Sequence, residues 1–300
     1  MIPIWFFGVV ENRHDPMKLG RCKVRCVGFH TEDKSVLPTA DLPWAYPVSP
    51  INSASISGKG DAPVGPREGT WIVGFFRDGD SCQEPVMTGT VGGIPVKKAD
   101  PRKGFNDPSG MYPLTVGEQD TNKLARGESK GTIVEKKKSN LDGSVVAGGL
   151  GFGAKQEPAT PYAAKYPFNE VKESEAGHII EVDNTPGAER LHTYHRSGTF
   201  EEIHPDGTKV EKIVGKNYTI VAGEDNIHIK GSCNVSLDNG CNVFVRGSTN
   251  FKCIGSVKYT VIGGCFEVSS LNTINLTCGA SSIVLNPAAC IIRAPLVMIN

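Results

Sequence analysis

Apolar and polar residues alternate with period two over most of the chain, and the runs are short. In "GRCKVRCVG", Cys22, Val24 and Cys26 share one side, and Lys23 and Arg25 share the other. That alternation predicts a half-buried strand. Four more runs, "WFFGVVENR", "PWAYPVSP", "GTWIVGFFRDG" and "PVMTGTVGG", are separated by turn-formers such as "DPMKLG" and "RDGDS". Five strands in residues 1–97 suit a small closed barrel of the OB type. Residues 98–165 are rich in Gly, Pro, Lys and Ser, which predicts an extended linker. Alternation returns over 166–206, with "NTPG", "RSG" and "HPDG" as hairpin turns.

From residue 207 the period changes. Counting by eights gives Gly207, Gly215, Gly223, Gly231, Asn239, Gly247, Gly255, Gly263, Leu271 and Gly279. Eight of these ten positions are glycine in a chain with 35 glycines among 300 residues, so the spacing is not accidental. Two residues before the register stand Ile213, Val221, Ile229, Leu237, Val245, Cys253 and Val261. Apolar residues also recur four before (Ile227, Val235, Val243, Phe251, Tyr259) and two after (Cys233, Cys241, Val257, Cys265). All share one parity, hence one face of a short strand. The opposite face carries Lys212, His228, Lys230, Arg246 and Lys252, with Ile220 and Phe244 among them.

Each octad therefore reads as one strand and one corner, with glycine expected to supply positive φ at the corner. An apolar face three residues wide encloses no core alone, and its edges are unpaired. Three copies wound together bury those faces along one axis. The expectation is an all-β chain: an OB barrel followed by a triple-stranded β-helix, a homotrimeric β-prism over 207–300.

Charge narrows the function. Lys+Arg and Asp+Glu are both 32, which gives no support for nucleic-acid specificity. The barrel sequence also lacks a clear basic–aromatic stripe of the kind that binds single strands. The N-terminus has no basic region before its apolar run and reads as a first strand rather than a signal peptide. No apolar run approaches the length of a membrane helix. The nine cysteines contain no C-x-x-C pair and read as small buried hydrophobes in a reducing compartment. His192, His195 and His204 straddle a turn and read as surface or packing histidines, so no metal or other cofactor is assigned. Glu173, Glu175 and Glu181 read as exposed strand carboxylates rather than the paired acids of a glycosidase, and no catalytic residue is assigned.

Several stretches match one family. "WFFGVVENRHDPMKLGRCKVRCVGFH", "LPWAYPVSPINSASISG", "VGGIP", "KGFNDPSGMYP", "QDTNKL" and "ESEAGHIIEVDNTPGAERLHTYHRSGTFEEIHPDG", followed by the octads, resemble the central spike of contractile-tailed phages. The chain is similar also to the valine–glycine-repeat spikes of type VI secretion. The resemblance implies a virion protein of the tail baseplate hub that pierces the host cell envelope. Its barrel would dock on a trimeric hub ring, and its β-helix would point outward. The best-known phage members insert a lysozyme domain where this chain has only residues 128–160, and no stretch resembles that enzyme's acidic set. The resemblance therefore implies a structural protein and not an enzyme. A bacterial secretion spike and a β-helical polysaccharide depolymerase are the alternative readings. Related spikes hold iron at the tip through His-x-His, but the last histidine here is His228. The apolar segment 285–300, ending in Leu296, Val297, Met298, Ile299 and Asn300, resembles blunt ends that receive a conical PAAR-type tip protein.

Overall fold

The computed structural model describes residues 3–51, 64–91, 120–139, 158–235, 237 and 239–296. Five strands, β1 (Ile4–Asn12), β2 (Cys22–Cys26), β3 (Trp44–Pro47), β4 (Trp71–Phe76) and β5 (Pro85–Thr90), close into a barrel of order β1-β2-β3-β5-β4. The β3–β5 pair is parallel, and the other pairs are antiparallel. The five runs read from the sequence are these five strands. Phe6, Val10, Cys22, Val24, Cys26, Ala45, Ile72, Phe76 and Met87 fill the interior. Closure is helped by shifts of register at Val10/Asn12 and Val73/Gly74. Gly74 admits the tightest approach: a Cβ there would lie 2.1 Å from the Val86 carbonyl oxygen.

The reading of β2 as half-buried needs correction. Arg25 points away from the barrel interior and is nevertheless fully buried. The segment after β2 folds over it. Arg25 donates through Nε to Glu11 (2.6 Å) and through Nη2 to the Leu37 carbonyl (2.8 Å), and it also bonds the Thr31 carbonyl. Glu11 accepts further bonds from Thr39 Oγ1 (2.5 Å) and Lys34 Nζ (3.0 Å). Burial pushes the Glu11 carboxyl up, but bonds from Arg25, Thr39 and Lys34 override it and hold it below its usual range.

The expected extended linker is corrected over part of its length. Residues 120–125 and 133–139 form two short helices, α1 (Asp120–Ala125) and α2 (Ile133–Ser139). Leu124, Ile133 and Val134 are buried, because "KL" and "TIV" supply the apolar cover that the next sheet needs. Residues 98–119 and 140–157 lie outside the described residues.

That sheet is a meander of β6 (Asn169–Glu173), β7 (Ile179–Asp183), β8 (Arg190–Tyr194), β9 (Phe200–Ile203) and β10 (Lys209–Lys212), each antiparallel to the next. β7 and β8 alternate buried and exposed along their whole length. Ile179, Tyr194, Phe200 and Val210 pack against Leu124, Ile133 and Val134.

The chain divides into two compact units, 1–238 and 239–300. In the second, β11 (Ile274–Cys278), β12 (Ser281–Asn286) and β13 (Ala289–Arg293) form an antiparallel meander. No strand lies between Lys212 and Ile274 among the described residues. The expected β-helix over 207–300 is not seen in the single chain, where β11, β12 and β13 are the strands that follow β10 among the described residues.

Candidate assembly surfaces

The octad segment shows its period in the backbone. Bends fall at 214–215, 222–223, 230–231, 239, 246–247, 254–255, 262–264 and 271–272, so even Leu271 lies in one. The stated cause of the corners needs correction. Gly215, Gly223, Gly231, Gly247 and Gly255 do not have positive φ; of the inner register glycines only Gly263 does (φ 74°). Gly207 (φ 81°) belongs instead to the β9–β10 hairpin turn, where its N–H donates to the His204 carbonyl (2.9 Å). Gly279 (φ 57°) sits in the two-residue turn between β11 and β12. A Cβ on any of the five inner glycines would meet nothing within 4 Å in the single chain. Nothing within the single chain therefore requires their lack of a side chain.

The residues expected along a trimer axis are open to solvent in the single chain. Ile213, Val221, Ile229, Leu237, Val245 and Val261 are between 36% and 60% exposed, and Cys253 is exposed too. Ile220, Phe244 and Ile254, on the opposite parity, are 85–99% exposed. A row of seven apolar side chains at eight-residue spacing is only partly covered by its own chain. At the far end, Leu285, Ile292 and Leu296 are likewise exposed. Val297, Met298, Ile299 and Asn300, expected to contact a tip protein, lie outside the described residues.

The barrel carries a feature that the linear sequence hid. Across β2 and β3 runs a ladder of cations and rings. Lys23 Nζ lies 4.8 Å from the Trp44 ring, and the Arg21 guanidinium lies 5.3 Å from Trp44 and 5.4 Å from Tyr46. Arg77 lies 5.4 Å from Tyr46. This corrects the statement that a basic–aromatic stripe is absent: strand pairing assembles it from residues up to 56 positions apart. Its cations are already engaged. Arg21 donates to Asp15 through Nε (3.1 Å) and Nη2 (2.7 Å), Lys23 to the Ala40 carbonyl (2.8 Å), and Arg77 to Glu84 (2.6 Å). The bond from Arg21 holds the Asp15 carboxyl far below its usual range. Arg21 is buried, whereas Trp44, Tyr46 and Arg77 reach the surface and give this face residue types found in protein contact hot spots.

The three candidate acids go to three different places. Glu173 accepts from Thr121 N–H (3.2 Å) and Oγ1 (3.0 Å) beside α1. Glu175 takes both arms of Arg13, with Nη2 at 2.8 Å, and lies 3.6 Å from Arg67, tying the sheet to the barrel. Glu181, expected at the surface, is 1% exposed. The period-two pattern of β7 turns it inward, where Arg190 bridges it to Glu202 (2.8 Å from Nη1). His192 Nδ1 lies 2.9 Å from Glu181 Oε1, and Asn169 Nδ2 donates to Oε2 (3.0 Å). Burial pushes Glu181 up; the bond from His192 and the charge of Arg190 more than reverse it. The histidines separate too: His192 is buried, His204 Nε2 lies 3.4 Å from Glu202, and His195 is exposed beside Ser197. The cluster makes a polar half-core beside the apolar one.

The family profile described as the Gp5 N-terminal OB domain matches residues 28–186, just over half of the chain. Protein Gp5 of Vibrio phage KVP40 is 43% identical over 256 residues, covering 75% of this chain and 61% of the relative. The pre-baseplate central spike protein Gp5 of Enterobacteria phage T4 is 42% identical over 151 residues, covering 47% of this chain and 26% of the relative. The chain thus spans about three fifths of one relative and a quarter of the other. The five-stranded barrel, the meander that follows it and these matches together place the chain in the Gp5 OB-domain family of phage spike proteins.

Proposed function

We propose that this chain is the structural spike of a contractile tail, a component of the virion's baseplate hub that mechanically pierces the host envelope. The observation that carries the proposal is the row from Ile213 to Val261, solvent-exposed in one chain at a spacing that three chains wound together would bury. About 25 cal/mol per Å² of apolar surface removed from water favours that winding. The relatives' names, a Gp5 and a pre-baseplate central spike, support the placement.

The barrel is the docking module for a trimeric hub ring, with Trp44, Tyr46 and Arg77 as its most contact-like outer side chains. The apolar residues 285–300 receive a separate PAAR-type tip protein. The work is mechanical, and none of Glu173, Glu175 or Glu181 is given a catalytic role.

Light scattering on the purified full chain tests the assembly: a three-chain mass is expected, and a folded monomer at micromolar concentration overturns it. In a phage carrying Val245→Asp, envelope penetration is lost. Unimpaired penetration by that phage removes the mechanical role.

A further inference from the structure

Cys233 and Cys241 are eight residues apart, and each stands two residues after a corner, at Gly231 and Asn239 respectively. The backbone bends at both of these corners and again at 246–247, so the two cysteines stand at equivalent positions of consecutive eight-residue segments. Both thiols are free and exposed in the single chain.

In a three-fold prism with one octad per face, each corner carries a chain onto the next face. There it lies against the preceding octad of a neighbouring chain. Position i+8 of one chain therefore stands beside position i of its neighbour, one strand spacing away, about 4.8 Å. That separation falls inside the Cα–Cα range of roughly 4.4–6.8 Å that a disulfide spans. Cys233 has its equivalent in Cys241. Cys253 has Val245 and Val261 eight residues away, and Cys265 has Val257 and Thr273. In the octad segment only the 233/241 step places thiol against thiol.

We infer that Cys233 of each chain and Cys241 of a neighbouring chain form an interchain redox site, oxidised by a two-electron thiol oxidant to a disulfide. The inference rests on the trimeric prism proposed above. Two S–H bonds break and one S–S bond forms; two protons and two electrons pass to the oxidant. Three-fold symmetry repeats the step three times around the axis, which closes the three chains into one covalent ring. The buried barrel cysteines Cys22 and Cys26 are not competitors. Burial pushes the Cys22 thiol up to about 12 and Cys26 higher still, which suppresses the reactive thiolate.

The probe is diamide, whose azo group takes up both protons and both electrons to become a hydrazine. The reduced full chain is first sized by light scattering, then treated, alkylated and run on a denaturing gel without reductant. Most chains are expected in a covalent trimer band, with Cys233–Cys241 the linked peptides in mass spectrometry. Cys233→Ala or Cys241→Ala alone should remove the trimer band while light scattering still reports three chains. Should either variant fail to assemble, peptide mapping of the unsubstituted trimer decides. A three-chain particle with no interchain disulfide overturns the inference and leaves the prism standing. So does Cys241–Cys241 pairing that persists in Cys233→Ala, since it would join equivalent positions of the three chains across the axis and not neighbours stacked along one face. A one-chain mass before oxidation overturns the prism itself.

Discussion

At the scale of single residues, charged side chains in the interior define this protein more than its apolar ones do. Arg25 is wholly buried with Glu11, and Arg190 with Glu181 and Glu202. Removing one partner of such a pair leaves an uncompensated buried charge. Arg25→Met should therefore cost about 3 kcal/mol, near the lower end for such losses because Lys34 and Thr39 still serve Glu11. Chemical denaturation of the barrel checks this. Glu11, Asp15 and Glu181 all have folded-state pKa values below their ordinary ones. Their contribution is complete above the unfolded carboxylate range, near pH 4, and is lost as pH falls through the folded values. Melting temperature should decline gently below about pH 6.5, because burial lowers the His30 pKa and the unfolded chain takes up that proton first, and fall more steeply below about pH 5 as the carboxylates protonate. In Glu181→Gln the starting stability is lower and the acid slope is shallower. An unchanged slope would contradict the assignment.

At the scale of elements, the glycines separate into two kinds. Gly74 is needed inside the barrel, where β4 crosses β5 so closely that a methyl group would meet the Val86 carbonyl. Gly74→Ala should disrupt the barrel and be visible as loss of cooperative unfolding in a single chain. Gly223 and Gly255 have open space and no positive φ. Gly255→Ala should leave barrel and meander melting unchanged and slow trimer formation, measured by light scattering after dilution from denaturant. If it destabilises the barrel instead, the octad glycines act within one chain. The elements themselves were largely legible. All five barrel strands and the hairpin turns follow from alternation and turn residues. The helices α1 and α2 did not, because six and seven residues are too few to show a helical period, and their cover over Tyr194 and Phe200 is a tertiary fact.

At the scale of the whole molecule, the repeat is incomplete in one chain. Residues 213–273 make no strand pairs among the described residues, yet they bend every eight residues with their apolar parity facing solvent. Stacked in a three-chain prism, each octad advances about 4.8 Å along the axis, against about 26 Å of contour when extended. The segment should therefore be compact and resistant to protease in the trimer, and cleaved first in any monomeric fraction. Equal cleavage in both would argue against winding. Val245→Asp puts three carboxylates near the axis and should shift the population to monomers, read by sedimentation.

The sequence by itself determined the all-β class, the barrel strands and the octad register, because period two and period eight are written in consecutive residues. It also carried the family resemblance, in its contiguous motifs. The tertiary structure alone decided which polar residues are inside. Arg25 and Glu181 alternate as surface residues do, and the loop after β2 covers the one while the described stretches 120–139 and 158–165 cover the face of the other. It also decided that Lys23, Arg21 and Arg77 stack with Trp44 and Tyr46, since strand pairing joins residues that sequence keeps apart. And it decided that Gly207 and Gly279 are hairpin glycines, because a turn and a corner ask for the same residue and only the backbone path distinguishes them.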